Sequence, residues 1–242
     1  MGPAMWRQQM HVASGWRVIA PPLPGFDGRP LVAEHSMDAY ARDLLAQLDE
    51  AGIDRAVFGG LSMGGYVIFG LLRQAPERVA GLILADTRTS VDNPDRRAAR
   101  ERSIALARER GPSAIADEML PGILGPTTHQ RRPEVLKQTR ALIEAQPAET
   151  IAAALEAMMT RPDSLAVLQR VTVPARMIVG AEDTITPPSD AETMHRAIAG
   201  SDVIVIPEAG HMANLEAPDA FNAALREFLA SPAKFPALGA SR

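Results

Sequence analysis

Apolar positions along the chain fall into two alternating kinds of run. Short continuous runs at Trp16–Ala20, Ala56–Gly60, Gly81–Ala85, Ala175–Gly180 and Val203–Ile206 have the density of strands buried on both faces. The segments between them carry helical spacing. Over Ser36–Ala51, Met37, Tyr40, Ala41, Leu44, Leu45 and Leu48 share one face, with Ser36 as N-cap and Gly52 as the stop. A helix pattern runs from Met63 to about Gln74. Ser189-Asp-Ala-Glu192 reads as a capping box that opens a helix ending near Gly200. A last helix starts around Pro218, with Phe221, Leu225, Phe228 and Leu229 on its inner face. Continuous apolar strands separated by helices predict an open α/β fold, a parallel sheet covered on both faces.

One stretch breaks the alternation. From about Arg88 to Val171 only helix patterns occur, at Asp95–Arg110, Pro133–Glu144 and Glu149–Thr160, divided by Gly-Pro, Arg-Pro and Gln-Pro breakers. Strand-type sequence resumes directly afterwards. The expected organisation is therefore a core built from residues 1–87 and 172–242, with a helical cap of residues 88–171 over the strand ends, where open α/β sheets bind ligands. The tail after Ser231 carries little pattern and is expected to fray.

Composition narrows the function classes. The 242 residues carry a formal net charge of −4, with 46% hydrophobic and 22% charged positions, as in an ordinary globular chain. The acidic balance, with basic residues mixed among glutamates, speaks against nucleic acid as a partner. No apolar run is long enough to span a membrane. There is no cysteine, hence no disulfide framework, thiol nucleophile or Cys-ligated metal. The start lacks a charged segment followed by an apolar one, so a cytoplasmic location is expected.

The candidate chemistry lies in Gly60-Leu-Ser-Met-Gly64, followed by Gly65. This is G-x-S-x-G set between a strand and a helix. A nucleophile on so sharp a turn needs small neighbours two positions before and after it, and the helix start behind it offers free N–H groups to a developing oxyanion. A serine needs a base, and the base needs an orienting acid. Of five histidines, only His211 follows the last strand run, where Gly210 would let the chain turn back across the strand ends. His195 sits in a helix pattern and His129 in the cap. Asp183, directly after a strand run, is the favoured acid, with Asp86 at the end of Gly81–Ala85 as the rival. Glu182 should point away from the base. Met119, Leu120, Ile123, Leu124, Met158 and Met159 in the cap read either as an apolar substrate pocket or as the cap's own core. No metal or other cofactor is expected.

Gly60-Leu-Ser-Met-Gly-Gly-Tyr66, Pro76-Glu-Arg-Val-Ala-Gly-Leu-Ile-Leu-Ala-Asp86, Gly180-Ala-Glu-Asp183 and Ala209-Gly-His-Met212 together resemble the α/β-hydrolase superfamily. The nearest branch is that of 3-oxoadipate enol-lactonase-like hydrolases, cofactor-free haloperoxidase-like esterases and small carboxylesterases. The resemblance runs from about Trp6 to Leu229. It implies Ser62 as nucleophile, Asp183 as acid, His211 as base and the Met63 backbone N–H as an oxyanion donor, acting on a small ester or lactone. A serine at the elbow argues against the haloalkane dehalogenase and epoxide hydrolase branches, which use aspartate.

The chain also departs from that pattern. Relatives usually have a strand ending in a His-Gly loop, the source of a second oxyanion donor, ahead of the helix that Met5–Met10 resembles. Pro22 stands where an Asp is common, and Phe26-Asp27 where His-Gly is frequent. The expectation is a chain starting at an internal methionine of a longer protein, with weakened turnover. The alternative is an inactive hydrolase scaffold that serves as a binding module. The strand around Val18 should then either slide beside Ala56–Gly60 or leave an open edge that favours a homodimer.

Overall fold

The structure, a computed structural model, describes residues 1–230 and Phe235. A 3-10 helix at Pro3–Gln9 precedes α1 (Met37–Glu50), β1 (Ala56–Leu61), α2 (Met63–Gln74) and β2 (Val79–Ala85). The helices α3 (Pro94–Ile123), α4 (Pro126–Arg131), α5 (Pro133–Glu144), α6 (Ala148–Met159) and α7 (Leu165–Leu168) fill the chain between β2 and β3 (Ala175–Gly180). Then follow α8 (Pro188–Ala197), β4 (Asp202–Ile206), α9 (Ala213–Glu216) and α10 (Pro218–Leu229).

The four strands form one parallel sheet in the order β1-β2-β3-β4. Every residue of β2 and β3 is buried, which is why both read as unbroken apolar runs. Alternate side chains serve two cores. Leu61, Ile83, Ala85, Ile178 and Ile206 pack with α9, α10 and the cap helices, while Phe58, Leu82, Leu84, Met177 and Val179 pack with Tyr40, Phe69 and Met194 of α1, α2 and α8. The register pairs Leu61 with Ala85, Ala85 with Ile178, and Gly180 with Ile206. The C-terminal ends of all four strands are thereby brought level. Whatever follows each strand meets at one rim.

Trp16–Ala20 is not a strand. No strand pairs with the outer edge of β1 among the described residues, so this segment finds no ladder to satisfy its backbone, and Pro21-Pro22 removes two donors directly after it. The open edge, rather than a strand slid into place, is the outcome at β1. Trp16 is held by side-chain packing instead, edge-on to Phe235 with ring centroids 5.4 Å apart. Phe235 also meets Phe228 edge-to-face, and this position of the expected frayed tail is buried, while 231–234 and 236–242 lie outside the described residues.

Two local expectations also change. The N-cap of α1 is as read, with Ser36 Oγ accepting the Ala39 N–H at 3.0 Å. The capping box at Ser189 does not form: α8 begins earlier, at Pro188, and Ser189 lies inside it. Proline at the first helical position has no N–H to satisfy, which makes the earlier start cheap. In the cap, α3 is two helices joined at Gly111, whose φ of 76° is a left-handed conformation suited to glycine. The base of the cap is tied off by Ser164 N–H to Thr89 O (3.1 Å) and by buried Arg161, which meets Asp92 at 2.9 Å and lies 4.3 Å over the Tyr66 ring.

Candidate active site

Ser62 stands between the last residue of β1 and the first of α2 with φ 52° and ψ −112°. A non-glycine residue in that region is strained, and such strain collects at functional sites. Its backbone is fixed on both sides. The Ser62 N–H donates to Ala85 O at 2.9 Å, and the Thr87 hydroxyl donates to Ser62 O at 2.8 Å. Small neighbours are required, though not at the expected pair of positions. A Cβ on Gly60 would lie 2.5 Å from the Gly64 carbonyl carbon, and one on Gly65 would lie 2.4 Å from Thr87 Oγ1. A Cβ on Gly64 would meet nothing within 4 Å. The crowding therefore falls on Gly60 and Gly65.

His211 reaches this serine from the loop after β4. Its Nε2 lies 2.8 Å from Ser62 Oγ, and its Nδ1 lies 2.8 Å from Asp183 Oδ2. The turn that returns the chain is taken at Glu208, with φ 54°. Gly210 is instead needed for close approach, since a Cβ there would lie 2.3 Å from Gly125 N.

Asp183 is fully engaged. Oδ1 accepts the N–H groups of Ile185 (2.8 Å) and Thr186 (3.0 Å), while Oδ2 accepts the Thr186 hydroxyl (2.5 Å) and faces His211. Burial alone would raise its pKa, but the hydrogen bond and charge of His211 together with the Thr186 donors outweigh it, and the carboxyl sits below the usual carboxylate value. Thr186 also lies 3.1 Å from His211 Nδ1. Sequence reasoning passed over this residue. A hydroxyl three positions after a loop aspartate is the signal that could have found it, because Asp side chains commonly close such turns.

Asp86, the rival acid, is occupied elsewhere. Its Oδ1 accepts the Gly180 N–H at 2.9 Å, and it makes no hydrogen bond to His211. Burial first, and then the Asp183 charge, raise its pKa well above the usual carboxylate value. The Ala213 backbone N–H also faces this carboxyl. Glu182 does point away from the base, toward Thr127 of the cap.

Three of the other histidines make contacts elsewhere. His35 contacts Glu156, His129 contacts Leu120 O, and His195 is half-buried against Ser201. Met63 is the first residue of α2, so its N–H has no intrahelical acceptor and is free to meet an oxyanion beside Ser62. The cap methionines Met119, Met158 and Met159 are all half-buried. Met119 packs against the core on the α10 side, whereas Met158 packs against the α1–α2 side with its sulfur 3.4 Å from an Arg100 nitrogen. Among the described residues, no group of three or more His, Asp or Glu side chains could hold a metal ion, and no helix is long and apolar enough to cross a membrane. A surface hollow lined by Leu72, Arg73, Val79, Val171 and Val173 opens at the N-terminal ends of the strands, away from this chemistry.

A parallel sheet with helices on both faces, a serine on a strained strand-to-helix turn, and a histidine and aspartate from the loops after later strands define an α/β hydrolase. The profile described as "Alpha/beta hydrolase family" matches residues 1–224, and the chain belongs to that family. It is 30% identical over 224 residues to 3-oxoadipate enol-lactonase 2 of Acinetobacter baylyi, covering 92% of this chain and 82% of that protein. Among solved structures it resembles a thermophilic esterase from Thermogutta terrifontis, with TM-score 0.91 and 39% identity over 95% of this chain and 86% of that one. The enol-lactonase from Burkholderia xenovorans superposes with TM-score 0.86 at 28% identity, covering 95% and 87%.

Proposed function

We propose that this hydrolase cleaves carboxylic esters or lactones through an acyl-enzyme on Ser62. The observation that carries the reading is the continuous relay from Ser62 Oγ to His211 to Asp183, with both contacts at 2.8 Å. Ser62 Oγ attacks the acyl carbon while His211 Nε2 takes its proton, and Asp183 holds the imidazole tautomer and stabilises the imidazolium. The Met63 N–H meets the oxyanion. His211 then returns the proton to the leaving alkoxide, so that the alcohol of an ester departs, or the new hydroxyl of an opened lactone stays on the acyl group, and the acyl group stays on Ser62. A water deprotonated by His211 attacks the ester carbon, and the acid is released as Ser62 recovers its proton.

Ester or lactone chemistry is favoured by the relatives, one named an esterase and two named enol-lactonases. Losing one donor of an oxyanion hole costs about 10²–10³ in turnover, so a site served by Met63 alone would be a weak catalyst. The half-buried Met119, Met158 and Met159 are the candidate walls for the acyl chain. A fluorophosphonate probe tests the reading: the wild type should be labelled and Ser62→Ala should not. Equal labelling of both would remove Ser62 from the nucleophile role.

A further inference from the structure

Two carboxylates outside the relay stand on the loops that hold it. Glu182 precedes Asp183, and Glu216 closes α9, the short helix that starts two residues after His211. Glu216 is only 2% exposed. Its Oε1 accepts the N–H of Met212, the neighbour of His211, at 3.0 Å. Its Oε2 accepts the Gly125 N–H at 2.8 Å and the Thr128 hydroxyl at 2.7 Å. Glu182 accepts the Thr127 N–H at 3.0 Å and the Thr127 hydroxyl at 2.5 Å. Four of these five donors come from one corner of the cap, where α3 gives way to α4. The backbone there is also packed as tightly as glycine allows. A Cβ on Gly125 would lie 2.3 Å from Glu182 Oε2 and 2.9 Å from Gly210 N. Beneath the corner, the Glu182 N–H donates to Ala209 O at 2.8 Å and joins the acid loop to the histidine loop.

We propose that Glu216 and Glu182 are positioning residues that lock the cap corner onto the loops carrying His211 and Asp183, so that cap seating and alignment of the proton relay are a single event. The inference rests on the reading of Ser62, His211 and Asp183 as the catalytic residues. Its chemistry is specific to a carboxylate. Glu216 meets backbone N–H groups at both oxygens, Met212 at one and Gly125 at the other, and an amide has an acceptor at one end only. Glu216→Gln therefore sets an NH₂ against one of those N–H groups and forces the cap corner and the histidine loop apart. A misplacement of about 1 Å at a reacting centre can cost about 10²-fold in rate.

The test measures kcat and KM for a p-nitrophenyl ester, with the rate of fluorophosphonate labelling, on wild type, Glu216→Gln and the cap-side double variant Thr127→Val/Thr128→Val. All are assayed well below their own melting temperatures. Both variants should lose about 10–100-fold in kcat and in labelling rate together, with KM nearly unchanged. The cap-side variant alters neither triad loop, and it decides the matter should Glu216→Gln fail to fold. Folded variants with lowered Tm but wild-type kcat and labelling rate would overturn the proposal. So would a change confined to KM, which would place the corner in substrate binding. A wild type that is not labelled at all removes the Ser62 reading itself, whereas a labelled wild type with unmoved variants removes only this inference.

Discussion

Replacing Asp183 by asparagine should abolish most activity while leaving the fold in place. Asp183 receives two backbone N–H groups at Oδ1 and the Thr186 hydroxyl at Oδ2, beside His211 Nδ1. An asparagine oxygen placed at Oδ1 keeps both backbone donors, and the Thr186 hydroxyl can rotate, so few buried groups lose a partner. Alanine would instead orphan those donors at about 1–3 kcal/mol each, confusing stability with chemistry. In Asp183→Asn the NH₂ faces His211 Nδ1 and forces it to accept. The proton then moves to Nε2, which must donate to Ser62 Oγ instead of accepting its proton. The same wrong-tautomer effect in a Ser-His-Asp enzyme lowers kcat about 10⁴-fold, equivalent to about 5.5 kcal/mol of transition-state stabilisation. Steady-state hydrolysis of p-nitrophenyl esters reads kcat, and thermal denaturation checks that Tm holds. If Asp183→Asn stays within about tenfold of wild type while Asp86→Asn falls further, the acid is misassigned.

Other outcomes follow from the same geometry. The folded-state pKa of Asp86 is raised above its unfolded value, so its contribution to stability is full below about pH 4 and is lost as pH rises. Asp86→Asn should therefore gain Tm relative to wild type as pH rises above about 4, and a constant difference would refute the raised pKa of this buried carboxyl. Arg161→Ala removes one of the two arginines that hold buried Asp92, leaving Arg100 at 2.6 Å, and should lower Tm by less than the roughly 6–20 °C (about 3–5 kcal/mol) expected for a fully unpaired buried charge. The Asp92 carboxyl is held near pKa 2 despite burial, by Arg161 and Arg100, so the stability it adds should fade as pH drops from about 4 toward 2. In the elbow, Gly60→Ala should destabilise through its 2.5 Å contact, whereas Gly64→Ala should leave Tm unchanged or higher; equal losses would refute the assigned crowding. Met158→Ala/Met159→Ala should change acyl chain-length preference among p-nitrophenyl esters, and an unchanged preference with normal folding removes them from the pocket.

The parts of this molecule legible in its sequence are those that local patterning determines. Val79–Ala85 and Ala175–Gly180 are buried along their whole length, so their burial is written as unbroken apolar runs. The spacing of Ser62, Asp183 and His211 follows from each standing just beyond a strand, a placement the strand runs already marked. What was not legible depends on partners distant in the chain. Trp16–Ala20 has strand composition, but a strand exists only where a neighbour pairs with it, and among the described residues none does. The Ser189 capping box lost to Pro188, whose ring already fits the first helical turn. Thr186 and Glu216 carried no motif because their roles arise from tertiary contact: a hydroxyl folded onto Asp183, and a carboxylate reaching a cap corner 88 to 91 positions away.

Covalent chemistry at Ser62 is open to direct observation. The protein is mixed with a p-nitrophenyl ester, quenched in acid within the first turnover, digested and examined by peptide mass spectrometry, while released p-nitrophenolate is followed by stopped flow. The proposed triad predicts an acyl group on the peptide containing Ser62, together with a burst approaching one p-nitrophenolate per protein molecule wherever deacylation is the slower step. His211→Ala should accumulate that adduct far more slowly. An unmodified Ser62 peptide under conditions of steady turnover, with Ser62→Ala hydrolysing the ester at the wild-type rate, would contradict it.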